Sequence, residues 1–154
     1  TAYAFEPNPK LVSRLQRRFA NDPVRIMGCA AWILDGDIKM YLGHDLSGTV
    51  MEGKRFVEAA PHFHIDYRAW IIVRSLDMSA WMLTNFSNDD TIDMKIDVEG
   101  AEYKLLQSLA DTGALDLVRN LRCEFHYDRF PVAEEEHRRI RALAASKTNL
   151  VDWY

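Results

Sequence analysis

The densest group of reactive side chains is Asp97-Val98-Glu99-Gly100-Ala101-Glu102, with three carboxylates in six residues. It falls where Thr91 to Val98 gives way to a helical segment. Ile92, Met94, Ile96 and Val98 alternate with Asp93, Lys95 and Asp97, the period of a strand. Leu105, Leu106 and Leu109 form a helical stripe, and Glu102 shares it. A carboxylate on an apolar stripe must reach the rim or be paired. Glu99 and Glu102 also suit a helix N-terminus, which favours negative charge. Asp97, at the mouth of the strand, is better placed for a substrate, a cofactor amino group or a metal.

Glu124 and His126 stand two apart in Leu121 to Tyr127, LRCEFHY, on one face of a predicted strand. Cys123 and Phe125 then face the opposite helix layer. An imidazole beside a carboxylate can take a hydroxyl proton or hold a metal, or it can be a packed and satisfied core group. Glu6 ends the beta-prone segment Thr1 to Phe5. Its carboxylate suits the two hydroxyls of a ribose, or it serves the helix that follows. His62 and His64 form a His-x-His pair, which is weak evidence for a metal without a third ligand.

These residues need elements to hold them. Pro7 and Pro9 stop the first strand, Asn8 can cap a helix, and Leu11, Val12, Leu15 and Phe19 give residues 9–20 an amphipathic face. Val24 to Ile33 predicts a second strand. Asp35-Gly36-Asp37 predicts a turn that folds Ile38 to Leu42 back on it as a hairpin. Residues 43–66 have no clean period, the pattern of a lid or binding loop. Tyr67 to Val73 reads as a strand, Asp77 to Phe86 as a short helix, residues 132–146 as a helix and Val151 to Tyr154 as a further strand. Gly113 ends the helix after the acidic cluster. Alternating strands and helices predict an α/β layer with a mostly parallel sheet, whose ligands bind beyond the carboxyl ends of the strands.

At 154 residues the chain is one domain, residues 1–154. The formal net charge of −4 and the short basic clusters oppose nucleic-acid binding. Cys29 and Cys123 form neither a disulfide framework nor a zinc pair. The apolar runs are too short to span a membrane, and with no targeting segment the expected compartment is the cytoplasm. A serine nucleophile elbow, a Walker loop and a His-Glu-x-x-His helix are all missing from the sequence.

Met94-Lys95-Ile96-Asp97-Val98-Glu99-Gly100-Ala101-Glu102-Tyr103, with Leu106 beyond it, resembles the signature of the FkbM-type methyltransferases. Tyr3-Ala4-Phe5-Glu6-Pro7-Asn8-Pro9 resembles that family's second-strand motif, and Ala30-Ala31-Trp32 with Asp35-Gly36 its third-strand block. Arg74-Ser75-Leu76-Asp77 and Glu124-Phe125-His126 resemble two later blocks, in the family's order.

The resemblance implies a Rossmann-like class I methyltransferase sheet using S-adenosylmethionine, with a hydroxyl of a sugar, glycan or small secondary metabolite as acceptor. It implies that Glu6 holds the cofactor's ribose and that Asp97 sits beside the methionyl end and the transfer site. His126 is then the preferred base, with Asp97 second. A divalent cation such as Mg²⁺ held by Asp97 and Glu124 is the metal-assisted version. The alternatives are an N-methyltransferase of the same fold and a non-catalytic binding domain derived from one. The family's first strand, with its glycine loop, and its last strand have no counterpart in the sequence. The expected sheet therefore has a gap beside the Asp97 strand, to be filled by further residues or by another subunit in an oligomer.

Overall fold

The computed structural model describes residues 1–43, 48–56 and 64–153. Its elements run β1 (Ala2–Phe5), α1 (Pro9–Arg18), β2 (Val24–Met27), β3 (Ala30–Trp32), β4 (Gly36–Leu42) and β5 (Asp66–Asp77). They continue with α2 (Met78–Asn85), β6 (Ile92–Ile96), α3 (Glu102–Asp111), a 3-10 turn at Ala114–Leu117, β7 (Val118–Cys123), α4 (Glu134–Lys147) and β8 (Asn149–Asp152). The class is α/β, with parallel and antiparallel pairing mixed.

Local chemistry accounts for the boundaries. Asn8 caps α1 by accepting the Lys10 N–H at 3.0 Å, with Pro9 in the first turn. Asp77 caps α2 through the Ala80 N–H in the same way. After α3, Gly113 takes φ +81, the left-handed conformation that a helix end often requires.

The strands expected to share one sheet fall into three hydrogen-bonded groups. β1 pairs in parallel with β2, and β6, β7 and β8 form a parallel set in that order. Strands join one sheet only through a common backbone ladder. Among the described residues no strand pairs with both β1 and β6.

The expected strand at Val24 to Ile33 breaks at Gly28-Cys29, where the Cys29 N–H turns back to the Met27 carbonyl at 2.9 Å. The expected hairpin does not form either. β3 and β4 lie on opposite sides of β5, β3 in parallel and β4 antiparallel, and both reach Ser75. The twelve-residue β5 supplies a longer ladder than β3 could.

One main core joins the groups despite the missing ladder. It contains Met78, Met82, Ile96, Tyr103, Leu105, Leu106, Leu109, Leu121 and Ile140, with Phe5 and Trp81 packed against it. Tyr3 and Phe5 of β1 both meet the Trp81 ring of α2 edge-on, at 5.0 Å between centroids. Such contacts contribute about 0.5–1.5 kcal/mol each beyond simple burial. No helix of the described residues is long and apolar enough to cross a membrane.

Candidate functional site

β6 ends at Ile96, so Asp97 stands just beyond its carboxyl end. The chain then turns sharply. Glu99 has φ +49 and Gly100 φ +95. A Cβ on Gly100 would lie 2.7 Å from the Phe130 ring, so both the dihedral and the space demand glycine. Glu99 is a non-glycine residue in the left-handed region, which costs of order 1–3 kcal/mol unless neighbours hold it. Two do: the Thr49 hydroxyl donates to the Glu99 carbonyl at 2.6 Å, and Lys54 Nζ lies 2.6 Å from Glu99 Oε2. The Lys54–Glu99 pair is nearly dry, with side chains 3% and 12% exposed.

Glu102 opens α3 and is fully buried. Its position on the apolar stripe required a partner, and it has two. Oε2 accepts the Gly100 N–H at 2.9 Å and Oε1 the His126 N–H at 2.7 Å. The acid thereby ties the β6 turn to the segment after β7.

That segment departs from the expected strand. β7 runs Val118–Cys123, so Glu124 and His126 lie past its end rather than on its face. The Glu124 N–H still reaches the Ile96 carbonyl at 3.0 Å, after which the His126 carbonyl accepts the Arg129 and Phe130 N–H groups in a turn. This turn sends the His126 ring inward, to 1% exposure.

Around that ring four carboxylates converge. Nε2 is 3.3 Å from Glu124 Oε1, 3.8 Å from Glu99 Oε2 and 4.0 Å from Asp97 Oδ1, and Nδ1 is 3.4 Å from Glu102 Oε1. None of these approaches is a regular hydrogen bond, and both ring nitrogens lack such a partner. Burial pushes the imidazole down, but Glu102, Glu99 and Glu124 together outweigh it and hold His126 above its ordinary value. Lys95 pairs with Asp97 Oδ2 at 3.2 Å and Arg129 with Glu124 Oε1 at 3.4 Å. Asp97 is the most open of the acids, its side chain 38% exposed.

The structure therefore brings Asp97, Glu124 and His126 together, and Glu99 and Glu102 with them. Glu6 stands apart, at the end of β1, half-buried. Its Oε1 accepts the Asn8 N–H at 2.7 Å. Burial raises its carboxyl above the usual range, against the lowering pull of the Asn8 N–H. An anchored, partly desolvated carboxylate at a strand end fits a ribose diol. Thr49, Lys54 and Arg129 are site residues that sequence reasoning missed. The sequence carries no signal for Lys54, because the near-enclosure of Glu99 that calls for a counter-charge shows only in the structure. His62 lies outside the described residues, so its pairing with His64 has no structural reading here.

The acids and the histidine thus gather beyond the carboxyl ends of β6 and β7, where open α/β sheets bind their ligands. The chain matches the methyltransferase FkbM domain over residues 1–149 and belongs to that family. It is an S-adenosylmethionine-dependent methyltransferase. No curated protein and no solved structure matches it.

Proposed function

We propose that the protein methylates a hydroxyl oxygen of a sugar, glycan or small secondary metabolite. We further propose that its strands belong to a Rossmann-like class I methyltransferase sheet within a single domain. The observation that carries the oxygen assignment is the cluster of Asp97, Glu124 and His126 beyond the ends of adjacent β6 and β7. An alcohol must lose its proton to become a useful nucleophile, and these groups can handle that proton. A neutral amine attacks through a lone pair it already has, so the N-methyl alternative gives the cluster less to do.

S-adenosylmethionine, when bound, supplies a methyl group activated by a sulfonium. Glu6 accepts the ribose hydroxyls. Asp97, the acid open to solvent, meets the acceptor, and the hydroxyl loses its proton at the Asp97–His126 side of the cluster. Glu102 fixes the His126 backbone, and Lys54 with Thr49 fixes Glu99, so the groups meet the acceptor already oriented.

The test uses the full-length protein with methyl-labelled cofactor and a panel of hydroxylated glycans and metabolites. Label should enter an ether, and Asp97→Asn and His126→Gln should each lower turnover by roughly 10²–10⁴-fold. Label appearing only in amine products would overturn the oxygen assignment.

A further inference from the structure

We infer that Asp97, Glu124 and His126 bind a divalent first-row transition cation of the Mn²⁺ class, through Asp97 Oδ1, Glu124 Oε1 and His126 Nε2. The inference rests on reading this cluster as the place where the acceptor hydroxyl loses its proton, and it names what acts there. His126 becomes a ligand rather than the free base that its sequence position suggests.

The geometry is close to that of a coordination shell. One ligand atom from each of the three residues lies within 4.8 Å of the other two. Bonds of about 2.0–2.2 Å to a shared ion put adjacent donors about 3 Å apart and opposite donors about 4.2 Å apart. The separations from Nε2, 3.3 Å and 4.0 Å, lie in that range. Small side-chain adjustments close the three donors on one ion.

A cluster of acids alone would be a weak argument. The independent observation is His126 itself, 1% exposed, with Nε2 lacking a hydrogen-bond partner while it lies 3.3 Å from Glu124 Oε1 and 4.0 Å from Asp97 Oδ1. A buried polar group without a partner is destabilising, and a cation at Nε2 relieves that. The other nitrogen is arranged to match. A ligating imidazole characteristically gives its second N–H to a carboxylate, which fixes tautomer and ring orientation. Glu102 Oε1 faces Nδ1 at 3.4 Å, and two backbone N–H groups hold Glu102 rigid.

The neighbouring cations rank the donors rather than exclude all but three. Lys54 holds Glu99 Oε2 at 2.6 Å and draws Glu99 away although it lies 3.8 Å from Nε2, whereas Arg129 stands farther from Glu124 Oε1, at 3.4 Å, and gives way to an ion there. Lys95 engages Asp97 through Oδ2 and leaves Oδ1 toward His126. One imidazole nitrogen with two carboxylate oxygens suits Mn²⁺ and its neighbours better than Mg²⁺, which favours all-oxygen shells with retained water. Three protein donors leave positions for water or an acceptor oxygen, and a cation there makes a bound hydroxyl more acidic, its proton passing to solvent.

The test is titration of chelator-stripped full-length protein with Mn²⁺, without cofactor or acceptor, followed by the electron paramagnetic resonance of free Mn²⁺. One equivalent should bind, and Asp97→Asn and His126→Gln should each weaken binding by about tenfold or more. Because His126→Gln could disturb packing, electron spin-echo spectra of the unaltered protein give a second reading. Bound Mn²⁺ should show coupling to a directly ligated imidazole nitrogen. Absence of saturable binding, absence of that coupling, or undiminished affinity in folded His126→Gln would each overturn the site. Hydroxyl methylation that proceeds unchanged in Mn²⁺-free enzyme removes the cation and leaves the proposed function standing. Mn²⁺ bound with nitrogen coupling, but no hydroxyl methylated, upholds the site and removes the function.

Discussion

Glu102 accepts the backbone N–H of His126 at 2.7 Å across 24 residues of chain, from a position with no solvent exposure. The same carboxylate accepts the Gly100 N–H, so one side chain sets the spacing between the ends of β6 and β7. Replacing Glu102 with Ala strands two buried N–H donors. At about 1–3 kcal/mol for each, the variant should lose about 2–6 kcal/mol of stability. Glu102→Gln keeps one accepting oxygen and should lose less. Urea unfolding of both variants checks this, and an Ala variant as stable as the parent would remove Glu102 from its bridging role.

The Lys54–Glu99 pair leads to a second expectation. Removing one partner of a buried ion pair leaves an uncompensated charge, at about 3–5 kcal/mol. Lys54→Met should therefore be severely destabilised. Glu99→Gln introduced into the same protein should recover much of that loss, because no bare charge then remains. A double-mutant cycle on unfolding free energies measures the coupling, expected at about 1–3 kcal/mol. Purely additive losses would show that the two side chains do not meet.

Cofactor binding should carry an acid limb set by Glu6. In the role proposed for Glu6, ribose hydroxyls donate to the ionised carboxylate, so affinity should be full above the Glu6 pKa and fall as pH drops through it. Burial holds that pKa above the ordinary glutamate value, so the fall begins at a higher pH than an exposed glutamate would give. Calorimetry with S-adenosylhomocysteine from roughly pH 7.5 to 4.5 brackets it. Glu6→Ala should abolish the limb and weaken binding by roughly tenfold to a hundredfold at neutral pH. An unchanged affinity in a folded variant would take Glu6 out of the site.

Much of the β6–α3 half of the site was legible in the sequence. Periods of two and 3.6 meet at Asp97, and an acid on a leucine stripe announces a buried partner, which Glu102 has. The end of β7 was not legible. LRCEFHY keeps alternating after its ladder with β6 has stopped at Cys123, and only tertiary contact reveals that the chain turns and buries His126. The β3-β5-β4 order was hidden for a related reason. The Asp35-Gly36-Asp37 turn signals a change of direction but not which strand is the partner, and β5 begins 24 residues after β4 ends. Lys54 lay in a stretch without period, and its partner is 45 residues away.

The seam between β1 and α2 bears on how the two halves of the site communicate. Within the described residues no ladder links Glu6 to the Asp97 cluster, and part of the connection is aromatic, Tyr3 and Phe5 against Trp81 and Tyr3 against Phe86. Ring contacts of this kind slide at little cost where backbone hydrogen bonds would not. The Trp81 and Phe86 rings thus form a bearing between Glu6, proposed to hold the ribose, and the cluster proposed to handle the proton. By thermodynamic linkage, whatever tightening an occupant of one side imposes across that bearing is returned in equal measure by an occupant of the other.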